Sequence, residues 1–404
     1  MTADSAPSRS VAIATNNLEC ERHIQYFSTI ERYFIANGWK VVTDFRADLV
    51  VVCACGFHDA MYNKVCHTLA GIRESGQREA SVVILGCLPK THAKDLADSF
   101  RGPVIPYGQE EALDRLIGAR VPFSEVQAPH VFRPQEERPA EPASKAFFHI
   151  RIAEGCLRQC TFCVINKAKG ALRSTPSKEV QRQYRDALAQ GYRRIFLMAE
   201  DTFAYGLDIG TTMPELVSSL LAMDSDVELH FGSLHSRWLV AYGDSLVEWC
   251  RRGVVRHLHV GLQHVNEDIL SRMGRPARIA EICAVLRRIK EASPAVVLSA
   301  DVIVGFHGET DEKFAELVEF MKKDTLFDSV SHFGFSDVKG APSFEFDGKL
   351  NPLLVARRWD ILKDVLGPRS YYNRTEDADD GYRKAYQATF NNDYSFCRHT
   401  FVGP

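Results

Sequence analysis

The 404-residue sequence holds no run of about 18 apolar residues, the length a helix needs to cross a bilayer. Its first residues, MTADSAPSRS, show neither a basic stretch leading into an apolar one nor a twin-arginine pair. The expectation is a soluble, cytoplasmic protein with no membrane partner. An excess of either charge is also lacking: 49 Lys and Arg against 52 Asp and Glu leave a net charge of −3. No overall basic field therefore points to nucleic acid. Solenoid repeats and low-complexity tracts are absent. None of the 14 histidines stands in an H-E-x-x-H or His-x3-His arrangement, which removes mononuclear metal sites of those kinds.

Cysteine is what the chain has. Eleven cysteines in a reducing compartment read as metal ligands or reactive thiols rather than a disulfide framework. With 45% hydrophobic and 25% charged residues, the length suffices for two or three domains. Residues 1–120 alternate short β-rich runs (Val11 to Ala14, Leu49 to Val52, Val82 to Leu85) with helical patterns near 20–37 and 59–74, the signature of a small parallel α/β domain. Residues 121–146 carry Pro122, Pro129, Pro134, Pro139 and Pro142 among charged residues and read as a linker.

From 147 to 368, strand-like runs recur at Phe147 to Ala153, Arg194 to Ala199, Val227 to Ser233, His257 to Leu262, Val296 to Gly305 and Ser329 to Phe335. Amphipathic stretches separate them, among them Ser177 to Gln190, Met213 to Met223, Ala280 to Glu291 and Asp311 to Lys323. Ser177, Thr310 and Asp311 are candidate N-terminal caps. Six βα repeats make a partial (βα)6 barrel, with its site at the C-terminal ends of the strands. A short tail, 369–404, follows.

The sharpest signal is Glu154-Gly155-Cys156-Leu157-Arg158-Gln159-Cys160-Thr161-Phe162-Cys163, directly after the first strand of the barrel half. Three thiolates spaced C-x3-C-x2-C on one loop can bind three irons of a 4Fe-4S cubane and leave the fourth open. An open iron can chelate the amino and carboxylate groups of S-adenosylmethionine, whose reductive cleavage yields a radical able to break a C–H bond. Structural zinc wants four ligands in paired C-x2-C units, and no fourth partner lies nearby. A ferredoxin run would place its fourth Cys soon after the third.

These residues resemble the radical S-adenosylmethionine superfamily, and within it the methylthiotransferases that act on tRNA bases or a ribosomal protein. The resemblance spans residues 10–365. It rests on the cysteine loop with Gly170 to Ser174, on Tyr205-Gly206, on His259 to Gln263, and on Asp301-Val302-Ile303-Val304-Gly305-Phe306-His307-Gly308-Glu309-Thr310. The last is similar to the family's DIIVGFPGET, with His307 in place of Pro. The resemblance implies a flavodoxin-like N-terminal domain carrying a second 4Fe-4S cluster, held by Cys20, Cys55 and Cys87. Cys53 competes with Cys55, because alternate residues on a strand share a face; Cys66 is a weaker rival. Cys250, Cys283 and Cys397 receive no role.

The superfamily also implies that Phe162 packs near the adenine and that Glu200, ending the second barrel strand, accepts from the methionine ammonium. Ser233, Gln263 and Asp301 stand at later strand ends, where polar groups face a barrel cavity and can bind ribose or carboxylate. The expected cofactors are thus two 4Fe-4S clusters and S-adenosylmethionine, with flavodoxin or ferredoxin as the reductant by resemblance. The expected chemistry is radical carbon–sulfur bond formation. Its rivals are dehydrogenation, epimerisation or rearrangement with the second cluster as electron carrier or anchor, and a non-catalytic scaffold, which would have no need of an open iron.

Two segments depart from the family. Gly261 to Asn266 (GLQHVN) stands where PLQSGS is usual, and Phe335 to Pro342 (FSDVKGAP) where YSPRPGTPA is usual. The acidic tail after Pro368 shows no strand series like that of the β-barrel RNA-binding module found in tRNA-modifying members. A small-molecule, nucleotide or peptide substrate is therefore expected ahead of tRNA.

Overall fold

The computed structural model describes residues 9–17, 20–57, 59–130, 146–157 and 160–371. Five strands, β1 (Ser10–Thr15), β2 (Lys40–Val42), β3 (Leu49–Ala54), β4 (Val82–Gly86) and β5 (Val104–Pro106), form a wholly parallel sheet in the order β2-β1-β3-β4-β5. That is the flavodoxin-like order, whose C-terminal strand edge is where such folds bind ligands. Alternation along the strands divides the core. Val11, Ile13, Val51, Cys53, Val83 and Leu85 pack beneath the helix Glu21–Ala36, while Ala12, Val50, Val52, Val82 and Ile84 pack on the other face beneath Asp59–Glu74. Three-residue strands β2 and β5 carry too little periodicity to be seen in the sequence.

In the second unit, β6 (Phe147–Arg151) is followed by a short antiparallel pair, β7 (Ala153–Glu154) and β8 (Arg173–Ser174), and then by β9 (Arg194–Met198) and β10 (Glu228–His235). The series ends with β11 (Val255–Gln263), β12 (Val297–Val304) and β13 (Ser329–Gly334). The six long strands pair in parallel as β13-β12-β11-β10-β9-β6, so successive βα units are neighbours, as the six repeats lead one to expect. Helices Ser177–Ala189, Met213–Leu221, Gly243–Arg251, Ile279–Ala292, Asp311–Lys323 and Pro352–Leu366 follow the strands in turn.

Thr310 caps its helix, its hydroxyl accepting from Lys313 N at 3.4 Å. Ser177 does not cap: Pro176, extended at φ −51° and ψ 137°, occupies that position, and the Ser177 hydroxyl lies 3.1 Å from Tyr205 Oη. Of the expected linker, residues 121–130 run against both units. Val121 and Pro129 carbonyls accept from Asn37 and Gln25 at 3.0 and 2.9 Å, and His149 N donates to His130 O at 2.7 Å. The remainder of the linker and the acidic tail after Tyr371 lie outside the described residues. Among the described residues no helix is long and apolar enough to cross a membrane.

Candidate active site

The β7–β8 pair brackets the cysteine loop and pins its two ends. Cys156 N donates to Gly170 O at 3.2 Å, and Asn166 Nδ2 donates to Cys156 O at 2.9 Å. Gly155 sits at φ +72°, and a Cβ there would lie 2.2 Å from Ala171 O, so only glycine lets the loop fold back this closely. The middle of the loop is fastened by Thr161, whose hydroxyl donates to Arg272 O at 2.8 Å and whose carbonyl accepts from Ser343 N. Burial pushes the Cys156 and Cys163 thiols up to about 12.

A cavity of about 290 Å³ opens between the two units. From the N-terminal unit, Cys20, Cys55 and Cys87 line it. Cys20 occupies the cap position of the helix Glu21–Ala36, and Cys55 and Cys87 lie one residue past β3 and β4. Gly56 lets the last two approach: a Cβ at that position would lie 2.1 Å from Thr91 Oγ1 and 2.8 Å from Leu88 Cα. Asn17 Nδ2 donates to Cys55 Sγ at 3.3 Å, and Cys55 N donates to Asn16 Oδ1 at 2.8 Å. Cys53 is fully buried in the core beneath the first helix, and neither it nor Cys66 lines the cavity.

Among the described residues no three His, Cys, Asp or Glu side chains converge on a single metal ion. Ligands of one Zn²⁺ sit ~2.3 Å from it, whereas ligands of a cubane are spread over separate corners. The donor sets are all-thiol and in threes, which fits two clusters each with an open iron.

The barrel side of the same cavity is lined by Glu200, Ser233, His259, Ser299 and Asp301. Glu200 is 2% exposed; Oε1 takes Lys169 Nζ at 2.7 Å and lies 3.7 Å from Arg22 Nε, while Oε2 is buried and has no hydrogen-bond partner among the described residues. Burial would raise the Glu200 carboxyl, but Lys169, Arg22 and Arg151 outweigh it and hold it below the ordinary range. Its neighbour Asp201 faces inward, held by Trp238 Nε1 at 2.9 Å, and burial pushes it up to about 6. Asp301 Oδ2 lies 2.9 Å from His259 Nε2. Burial would depress the His259 imidazole, but Asp301 raises it above its usual value.

Ser233 (φ 54°) and Gln263 (φ 69°) are, among the described residues, the non-glycine residues with positive φ. Each falls where strand register breaks, between Phe231 and Leu234 in β10 and between Gly261 and Gln263 in β11. Such bulges re-aim side chains, and strained backbone of this kind gathers at functional sites. Ser233 opens into the cavity; Gln263 lies instead beside Arg275. Phe162 also lies off the cavity, in an aromatic cluster with Phe306, Phe335 and Phe346.

The Radical SAM superfamily model matches residues 150–321, and the model of uncharacterized protein family UPF0004 matches 12–105. The ribosomal protein uS12 methylthiotransferase RimO of Thermotoga sp. (strain RQ2) is 30% identical, over 80% of this chain and 76% of its own length. The chain belongs to the radical S-adenosylmethionine methylthiotransferase family. The RimO of Geotalea uraniireducens is 29% identical over 89% of this chain and 82% of that protein. A probable threonylcarbamoyladenosine tRNA methylthiotransferase of Pyrococcus abyssi is 28% identical, over 78% of this chain and 74% of its length. Among solved structures, the radical S-adenosylmethionine methyltransferase TsrM of Kitasatospora setae shares the fold, with a TM-score of 0.55 at 16% identity, covering 83% of this chain and 77% of that one. Membership carries the cofactors expected above, S-adenosylmethionine and 4Fe-4S clusters.

Three residues of this methylthiotransferase escaped the sequence reading. Arg22, on the first turn after Cys20, crosses to the barrel, donating to Ala199 O at 3.0 Å and Ser233 Oγ at 2.8 Å. Lys169 ends the short helix after the radical loop and reaches Glu200. Arg275, buried after β11, donates to Cys160 Sγ at 3.4 Å and to Gly261 O. For the first two, closeness in sequence to a cysteine of each triad was the available signal; for Arg275 there was none.

Proposed function

We propose that this enzyme forms a carbon–sulfur bond at an unactivated C–H position of a small molecule, nucleotide or peptide side chain. What carries the reading is the single cavity into which Cys20, Cys55 and Cys87 open from one side and Glu200, Ser233 and Asp301 from the other. Cys156, Cys160 and Cys163 would hold the radical cluster, and the N-terminal triad the sulfur-bearing one. Bound there, S-adenosylmethionine and the clusters supply the radical and the sulfur.

The chain's own residues position and shield. The orphaned Glu200 Oε2 accepts from the methionine ammonium, a buried acceptor in need of a donor. Ser233 and Asp301 offer polar contacts to ribose, carboxylate or substrate. The relatives named for a ribosomal protein and for a tRNA make protein and RNA pools the first to screen beside small molecules.

The test is anaerobic reconstitution with iron and sulfide counts on the parent, a Cys156→Ala/Cys160→Ala/Cys163→Ala variant and a Cys20→Ala/Cys55→Ala/Cys87→Ala variant. About eight irons in the parent and about four in each variant are expected. About four in the parent, all lost with the loop cysteines, would sink the sulfur chemistry.

A further inference from the structure

We infer that Lys169 forms an anion site for the transferred sulfur, holding a hydrosulfide or methanethiolate beside Cys55 and Cys87. The inference rests on the reading above that the N-terminal cysteines carry the sulfur-bearing cluster. Lys169 belongs to the barrel unit, at the end of the helix Ile165–Lys169. Its side chain is only 11% exposed, yet it lines the cavity shared with the three N-terminal cysteines, and its Nζ lies 4.8 Å from the centre of the Tyr107 ring of the other unit. An ammonium has three donors; among the described residues Glu200 Oε1 takes one, at 2.7 Å.

A small sulfur anion loses its hydration on entering so closed a space, and a buried cation with donors to spare replaces it. Glu200 makes this conditional. With an empty Oε2 its carboxylate balances Lys169. Once an ammonium sits on Oε2, the carboxylate is shared and Lys169 turns a less compensated charge toward the cysteines. The methionine ammonium of S-adenosylmethionine and the sulfur anion then favour each other's binding, as linkage requires.

The experiment uses the full chain carrying Cys156→Ala/Cys160→Ala/Cys163→Ala, reconstituted so that the N-terminal cluster alone reports. Hydrosulfide and methanethiolate are titrated and followed by electron paramagnetic resonance of the reduced cluster, with isotopically labelled hydroselenide confirming contact through hyperfine coupling. In this background Lys169→Gln should weaken anion binding about tenfold at equal iron content, and Lys169→Arg should keep most of it. Glu200→Gln, which removes the balancing charge, should tighten binding about threefold. Equal affinities with and without Lys169→Gln would overturn the inference and leave the cluster assignment standing. Should Lys169→Gln lose its iron, Glu200→Gln decides: an unchanged affinity there overturns the inference as well. A parent without a cluster signal sinks the reading on which it rests.

Discussion

Cys53 and Cys55 are two residues apart and nearly identical on paper, yet one is core and the other lines the cavity. The alternation of β3 says only that they share a face; it does not say that the strand ends at Ala54, which frees Cys55 to leave the sheet edge. Cys53→Ala should therefore keep every iron and cost about 1 kcal/mol in denaturant unfolding, the loss of one small buried group. Cys55→Ala should lose about four irons after reconstitution. The reverse outcome would exchange the two assignments. Glu200 and Asp201 teach the same lesson: adjacent carboxylates at one strand end, one drawn down by cations and facing the cavity, the other raised by burial and held by Trp238. Glu200→Gln keeps the shape but removes the charge, and should weaken S-adenosylmethionine binding in the intact enzyme about tenfold by equilibrium dialysis.

At the scale of elements, the ends of β10 and β11 matter more than their middles. That Ser233 and Gln263 were candidates could be read from their place at strand ends; that both lie in left-handed backbone beside a bulge could not, because register is decided by neighbouring strands. A left-handed non-glycine residue costs roughly 1–2 kcal/mol. Ser233→Ala retains that cost and loses the hydroxyl that accepts from Arg22, whereas Ser233→Gly relieves it. Ser233→Gly should thus be the more stable of the two by about 1 kcal/mol in thermal unfolding, and a more stable alanine variant would contradict the strain. Two departures from the family pattern, His307 and the segment Phe335 to Pro342, also prove to be neighbours. His307, which replaces the usual Pro, places Nε2 2.7 Å from Asp337 Oδ1 in the altered segment after β13. Each was visible in sequence as a deviation, but their meeting depends on the fold of residues 305–350.

At the scale of the molecule, the six βα units were legible because their apolar runs are long and regularly spaced, while the way the two units meet was not, because it depends on single charged residues. Tyr107 of the N-terminal unit donates to Glu154 Oε1 at 2.6 Å, and Arg151 meets the same oxygen at 2.6 Å while donating to Arg22 O at 2.8 Å. Burial would raise the Glu154 carboxyl, but Arg151, the Tyr107 hydroxyl and Lys169 outweigh it and hold it down at about 2, against 4.5 ordinarily. A carboxyl whose folded value is depressed contributes stability above its ordinary value and loses it as pH falls toward the depressed one. The difference corresponds to at most about 3 kcal/mol at neutral pH. Denaturant unfolding of the cluster-free chain should therefore show Glu154→Gln less stable than the parent at pH 7, with the gap falling by more than half by about pH 3. A gap that is constant across this range would mean that the charge on Glu154, and with it the contact to Tyr107 of the other unit, contributes nothing to stability.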